Sequence, residues 1–200
     1  ADFSKHFREV QGPLAARLPK ARGDKQNHRV RRWDLPEATF LPRVDAYSQI
    51  WFDDLHTMFE SMDSPEQAVC YQDFENISDA HTVTVQEPGL LRGQEHRGNT
   101  KLTLILVGNA QESPAAEESL YRFLDDQLGG RFVLRVNRTI ETGDSTPIEP
   151  GLGAFAEIWV GTDAIAQKLL NQGLLTRTGP LITCTAMLVD EVVLVEGPEY

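Results

Sequence analysis

The sequence predicts an α+β fold: a curved antiparallel sheet backed on one face by about three helices. Three observations predict it. Gly153 to Leu175 reads as a strand turning straight into a helix, Ser113 to Leu128 reads as an amphipathic helix, and tight links such as Gly129-Gly130 join helix to strand. In the first of these, Ala154, Ala156, Ile158 and Val160 share one parity, and Phe155, Glu157 and Trp159 share the other. The apolar parity needs helices over it. Trp159 then lies on the face that helices need not cover.

Charge divides the chain more sharply than its net −11 suggests. Residues 1–32 carry nine Lys and Arg against three acids, and the remainder carries ten against twenty-seven. The expected organisation is a basic, partly flexible N-terminal arm over 1–29, followed by a single α+β domain over 30–200. Such an arm is a solvated tail or a contact for phosphates or an acidic partner. The acidic body is unlike a general nucleic-acid binder, so any RNA recognition should be local. No apolar run reaches the roughly 18 residues of a spanning helix. The expectation is therefore no membrane partner and a cytoplasmic or nuclear setting. Cys70 and Cys184 lie far apart without metal-ligand spacing, as expected of reduced cysteines.

In chain order, Phe3, Phe7, Val10 and Leu14 suggest a short helix. Val30 to Leu41, with Pro36, suggests an interrupted edge strand. Ser48 to Met62 reads as a helix capped by Ser48, with Trp51, Leu55, Met58, Phe59 and Met62 as its stripe and Asp63-Ser64-Pro65 as its end. Ala68 to Phe74 and Thr82 to Val85 read as short strands or extended loop, and Pro88 to Asn99 as an exposed loop. Lys101 to Val107 is a strand. Ser113-Pro114 starts the next helix, with serine as N-cap, and Leu120, Tyr121, Phe123, Leu124 and Leu128 give its buried face. Arg131 to Arg138 alternates as a strand. Thr162 caps the helix that Gly173 ends, and Pro180 to Val195 supplies two strands or one bent strand. No internal repeat is visible.

Enzyme signatures are sparse: there is no phosphate-binding loop, nucleophile elbow or His-Glu-x-x-His. The five histidines, His6, His28, His56, His81 and His96, are isolated in sequence, so neither metal nor cofactor is expected. Paired acids such as Asp53-Asp54 suit solvated helix faces. What remains is recognition by aromatic and basic groups on an open sheet face: Trp159 and Phe155 on one strand with Arg135 on the preceding one.

The order of elements over about 29–195 resembles the messenger RNA cap-binding initiation factor 4E family. Glu157-Ile158-Trp159 before the helix at Ala164, the strand–helix–strand run 101–138, and Glu87-Pro88 ahead of Arg97-Gly98 carry the resemblance. It implies a non-enzymatic translation factor that binds capped mRNA or a cap analogue in a concave cleft. Trp159 would lie by the cap's methyl group, with Arg135 or Arg138 on its phosphates. Phe40 or Trp33 would be the second stacking ring. Phe155 stands where the family has a lysine, and Leu90-Leu91 where it has Trp-Glu. Trp51, with Leu55, resembles the dorsal site for a scaffold or repressor protein bearing a Tyr-x-x-x-x-Leu-apolar motif. The alternative is an interaction module with a degraded cap pocket. A third reading is an unrelated α+β enzyme or scaffold.

Overall fold

The structure, a computed structural model, describes residues 2–34, 44–78, 84–94, 98–142 and 151–197. It divides into two compact units. Unit 1 comprises Ala1–Arg29, Val44–His81 and Asp190–Glu199; unit 2 comprises Val30–Arg43, Thr82–Val189 and Tyr200.

Unit 1 begins with α1 (Phe3–His6), capped by the Asp2 carboxylate, which accepts from the Lys5 amide. It continues through a wide π-type turn (Phe7–Gln11) into α2 (Gly12–Ala15). Then β1 (Gly23–Asp34), which belongs to this unit as far as Arg29, pairs antiparallel with β2 (Ala46–Trp51), in register from Gly23 opposite Trp51 to His28 opposite Ala46. Helices α3 (Leu55–Met62) and α4 (Pro65–Glu75) follow. Ala15, Leu18 and Cys70 form a small core, against which Leu14, Ala21, Ile50 and Met62 pack.

Three expectations change here. The short helix expected at the N-terminus is present as α1, but the stretch after it, expected as a flexible arm, holds the strand β1, and Phe7 is buried. The basic residues Arg8, Lys20, Arg22 and Lys25 ion-pair with Asp190, Glu60, Asp53 and Glu191. The helix expected from Ser48 starts seven residues later. Asp54 and Thr57 form a reciprocal capping box there, which satisfies two backbone donors where Ser48 could satisfy one. Ala68–Phe74 is helix, because Ser64 caps and Pro65 opens α4; at Ser113-Pro114, by contrast, the serine is already helical and Glu112 holds the cap position. Reading Ser64-Pro65 only as a stop hides α4.

Unit 2 holds β3 (Thr84–Glu87), β4 (Arg92–Gly93), β5 (Thr100–Val107), α5 (Ser113–Leu128), β6 (Val133–Thr142), β7 (Leu152–Val160) and α6 (Asp163–Asn171). The strand β8 (Ile182–Val195) contributes its residues up to Val189. Strands β8, β5, β7 and β6 lie side by side, all antiparallel. With α5 and α6 this is the split β-α-β-β-α-β arrangement. Leu102, Leu104, Leu106, Leu134, Ala156 and Ile158 on the sheet meet Leu120, Leu124 and Leu169 from the helices in one apolar layer. Thr162 accepts from the Ile165 amide to cap α6, and Gly129 ends α5 at φ 58°, as the sequence predicts.

The α+β class therefore stands, but its detail differs from an initiation factor 4E-like sheet. Each unit carries an antiparallel strand pair between helices: α1/α2, β1, β2, α3/α4 in the first, and α5, β6, β7, α6 in the second. The repetition is one of element order and leaves no matching residues for a sequence reading to find. Among the described residues no helix is long and apolar enough to cross a membrane.

Candidate active site

On β1 no parity is apolar: Asp24, Gln26 and His28 share one face, and Lys25, Asn27 and Arg29 the other. The first set is buried beneath the helices of unit 1. The Gln26 amide nitrogen donates to the Phe7 carbonyl at 2.6 Å, which fixes the amide's orientation and turns its oxygen toward His28 Nε2 at 3.1 Å. An amide oxygen only accepts, so His28 carries its proton on Nε2 and presents a lone pair at Nδ1. The Ser4 hydroxyl lies 3.1 Å from that Nδ1 and donates to it. Burial first, and then the nearby Arg8 guanidinium, pull the imidazole pKa down against the opposing Asp190, so His28 is neutral near pH 7.

At the outer end of this layer His6 Nε2 lies 2.9 and 3.2 Å from the two carboxylate oxygens of Asp73 on α4. The side chains are 27% and 16% exposed, so solvent reaches this pair. Phe7 stacks on Phe3 at 5.4 Å and meets His28 and Phe74 edge-on at 5.5 and 6.0 Å. The π-type turn at Phe7–Gln11 lies within this group, a backbone irregularity that is frequent at functional sites. Deeper in, Asp24 has no solvent exposure, and neither carboxylate oxygen has a hydrogen-bond partner among the described residues. Burial pushes its pKa up to about 7. Cys70 on α4 is buried too, its thiol pKa raised by burial and then by the Asp24 and Asp73 charges.

A sequence reading passes over these groups because their histidines are scattered along the chain. Strand pairing and a helix crossing bring them together. The one available signal is the polar run Asp24–Arg29 in β1, too polar to be recognised as a buried strand.

The residues predicted from the open sheet face sit in unit 2. Glu157 is opposite Thr103 on β5 and Arg135 on β6. Its carboxylate meets Lys101 Nζ at 2.5 Å and accepts from the Asn137 amide at 3.0 Å. Burial works to raise its pKa, but the Lys101 ammonium, Arg135 and the Asn137 hydrogen bond prevail and hold it below the usual carboxylate range. Lys101 Nζ also lies 5.1 Å from the Trp159 ring centroid. Trp159, Arg135 and Phe155 thus share the face opposite the helix layer, as expected. Trp159 is only 4% exposed, however, so its ring does not offer a stacking face to a base.

The other expected residues disperse. Arg138 has the opposite parity from Arg135 and pairs with Glu87. Trp33 packs at the edge of the leucine layer under the Arg31 guanidinium, 5.0 Å away. Phe40 falls outside the described residues. Leu90 is 78% exposed. Trp51 is on strand β2, 5.8 Å from Lys25 Nζ, and not on a dorsal helix with Leu55, which opens α3. The residues of the expected partner-peptide site therefore lie on different elements. Among the described residues there is no group of three or more His, Cys, Asp or Glu that could hold a metal ion.

Comparison with known proteins gives a different relationship from the one expected. The sequence profile of the EthD domain matches residues 1–81, the stretch that supplies α1 to α4 and the acid–base layer. The crystal structure of an anthrone oxidase-like protein is similar at 9% identity and a TM-score of 0.67, covering 98% of this chain and 89% of that one. A protein from Lactobacillus acidophilus NCFM, named provisionally as a monooxygenase, is similar at 10% identity and a TM-score of 0.53, covering 98% and 90%. At these identities the likeness is one of fold. No curated protein matches. The cap-binding assignment is thereby overturned, and with it capped mRNA, the translation role, the Tyr-x-x-x-x-Leu-apolar partner and the alternative of a degraded cap-binding module.

Proposed function

We propose that this chain is an enzyme of the oxidase or monooxygenase type, working by acid–base chemistry in unit 1 on a small enolisable aromatic ketone of the anthrone kind. This replaces the expectation of a non-enzymatic binding protein. The observation that carries it is the solvent-reached His6–Asp73 pair in the unit that also buries Asp24 and His28. The EthD match over the same residues and the names of the two structural neighbours support it.

A carboxylate that accepts the Nε2 proton orients an imidazole and leaves Nδ1 as a base. His6 Nδ1 takes a proton from the carbon between two activating rings. The electron pair moves to the carbonyl oxygen as an enolate, and the partly exposed Phe3 ring, backed by the buried Phe7, suits a planar aromatic. Molecular oxygen is the oxidant. One of its atoms becomes the new carbonyl and the other leaves as water with the two hydrogens of the methylene. One methylene and one dioxygen thus give one carbonyl and one water, a balance that needs no added reductant.

Oxygen uptake and quinone absorbance with anthrone test the reading. The expected result is one dioxygen consumed per quinone formed, with a His6→Gln chain at least about a hundredfold slower, the usual worth of a positioned base. Equal rates for the two chains would remove His6 from the reaction. No uptake over the uncatalysed rate would remove the substrate class.

A further inference from the structure

Ser4, His28 and Gln26 form a second arrangement that the oxidation does not use. We propose that Ser4 is a nucleophile activated by His28, giving the chain an acyl-transfer activity toward aryl esters. Three consecutive hydrogen bonds link these residues, and the direction of each is fixed. The Phe7 carbonyl can only accept, so the Gln26 nitrogen donates to it at 2.6 Å. The Gln26 oxygen then accepts from His28 Nε2–H at 3.1 Å, and His28 Nδ1 is left to accept from Ser4 Oγ–H at 3.1 Å. A hydroxyl, an imidazole base and a third group that locks the imidazole tautomer are the parts an activated nucleophile requires, here with an amide as the orienting group.

The surroundings fit the chemistry. His28 is held within the layer while Ser4 is at the surface, so an ester can reach the hydroxyl without entering the core. Phe3, adjacent to Ser4 in the chain, stacks on Phe7 and offers a ring to an aryl group.

In the first step Ser4 Oγ bonds to the ester carbonyl carbon while its proton passes to His28 Nδ1. The C–O bond to the aryl group breaks, and the phenol departs with that proton. Water repeats the sequence on the acyl-serine, giving its proton to His28 and releasing the carboxylic acid, and Ser4 regains its hydrogen. Nothing is oxidised or reduced.

The test uses the full chain with p-nitrophenyl acetate, followed by mass spectrometry of the peptide containing Ser4. The expected result is a burst of p-nitrophenolate of about one equivalent, acetyl on Ser4, and loss of both in Ser4→Ala. Because Ser4 is exposed, that variant should fold, and an unchanged far-ultraviolet circular dichroism spectrum checks it. His28→Asn should lose the burst while keeping the Ser4 hydroxyl. A burst that survives Ser4→Ala, or acetyl found only on lysines, overturns the proposal. So does the absence of any burst from the unaltered chain. Ser4→Ala should keep its oxygen uptake with anthrone, so failure of the esterase and failure of the oxidase read out separately.

Discussion

The two units arrange helices around an antiparallel strand pair in the same order, yet they fill the space between helices and strands with opposite chemistry. In unit 2 that layer is apolar throughout, mostly leucine and alanine, and the charged residues Lys101, Arg135 and Glu157 lie on the other face of the sheet. In unit 1 the strand side of the layer is Asp24, Gln26 and His28, and the helices add His6, Asp73 and Cys70. An apolar layer gains burial free energy with every methylene. A polar one forgoes that gain and must satisfy each group it buries. The comparison teaches that unit 2 is built for stability and that unit 1 carries groups whose burial is explained better by use.

Five substitutions, one of them made only in combination, test that contrast. The largest effect is expected from Glu157→Leu, which leaves the Lys101 ammonium buried with its carboxylate removed and should cost about 3–5 kcal/mol in urea unfolding. Adding Lys101→Met should return much of that loss, and no recovery would show that the pair does more than neutralise itself. Next, Leu104→Ala, in the centre of the leucine layer, should cost about 2–5 kcal/mol. A cost under about 1 kcal/mol would contradict a tightly packed unit 2.

Asp24→Asn probes unit 1 in the opposite direction. The folded chain holds the Asp24 proton up to about pH 7, whereas the usual value is 3.8. Stability from this group is therefore fully present below pH 3.8 and is lost as pH rises through about 7. The asparagine variant should flatten that decline and, at about pH 8, unfold with a free energy higher by a few kcal/mol. Identical pH profiles for the two chains would contradict a buried, protonated carboxyl. The smallest effect is Gly129→Ala at the left-handed end of α5, about 1 kcal/mol, measured as a lowered melting temperature.

Unit 2 is largely legible in the sequence for the same reason that it is stable. Apolar parity on β5 and β7, the Ser113-Pro114 start, the Thr162 cap and the Gly129 and Gly173 stops all agree with one another. Unit 1 is not legible. β1 has no apolar face to betray it, and Ser64-Pro65 reads as an ending although it is a beginning. Trp51 falls in with a helix on sequence because Leu55, Met58 and Met62 extend its stripe, although β2 ends at that tryptophan. The site is lost with the strand, since Ser4 meets His28 and His6 meets Asp73 only after α1, β1 and α4 have packed. The aromatic and basic cluster at Trp159 is on the expected face, but its burial and its ion pairs are those of a closed cluster and not of an open cleft.

The central claim is that a base in unit 1 removes a carbon-bound proton before oxygen takes part. Hydrogen–deuterium exchange at the anthrone methylene, followed by nuclear magnetic resonance in deuterated buffer without oxygen, measures that step alone. Exchange accelerated by the unaltered chain and lost in His6→Gln is the predicted result. Exchange at the buffer rate with both chains, or acceleration that survives His6→Gln, would contradict it.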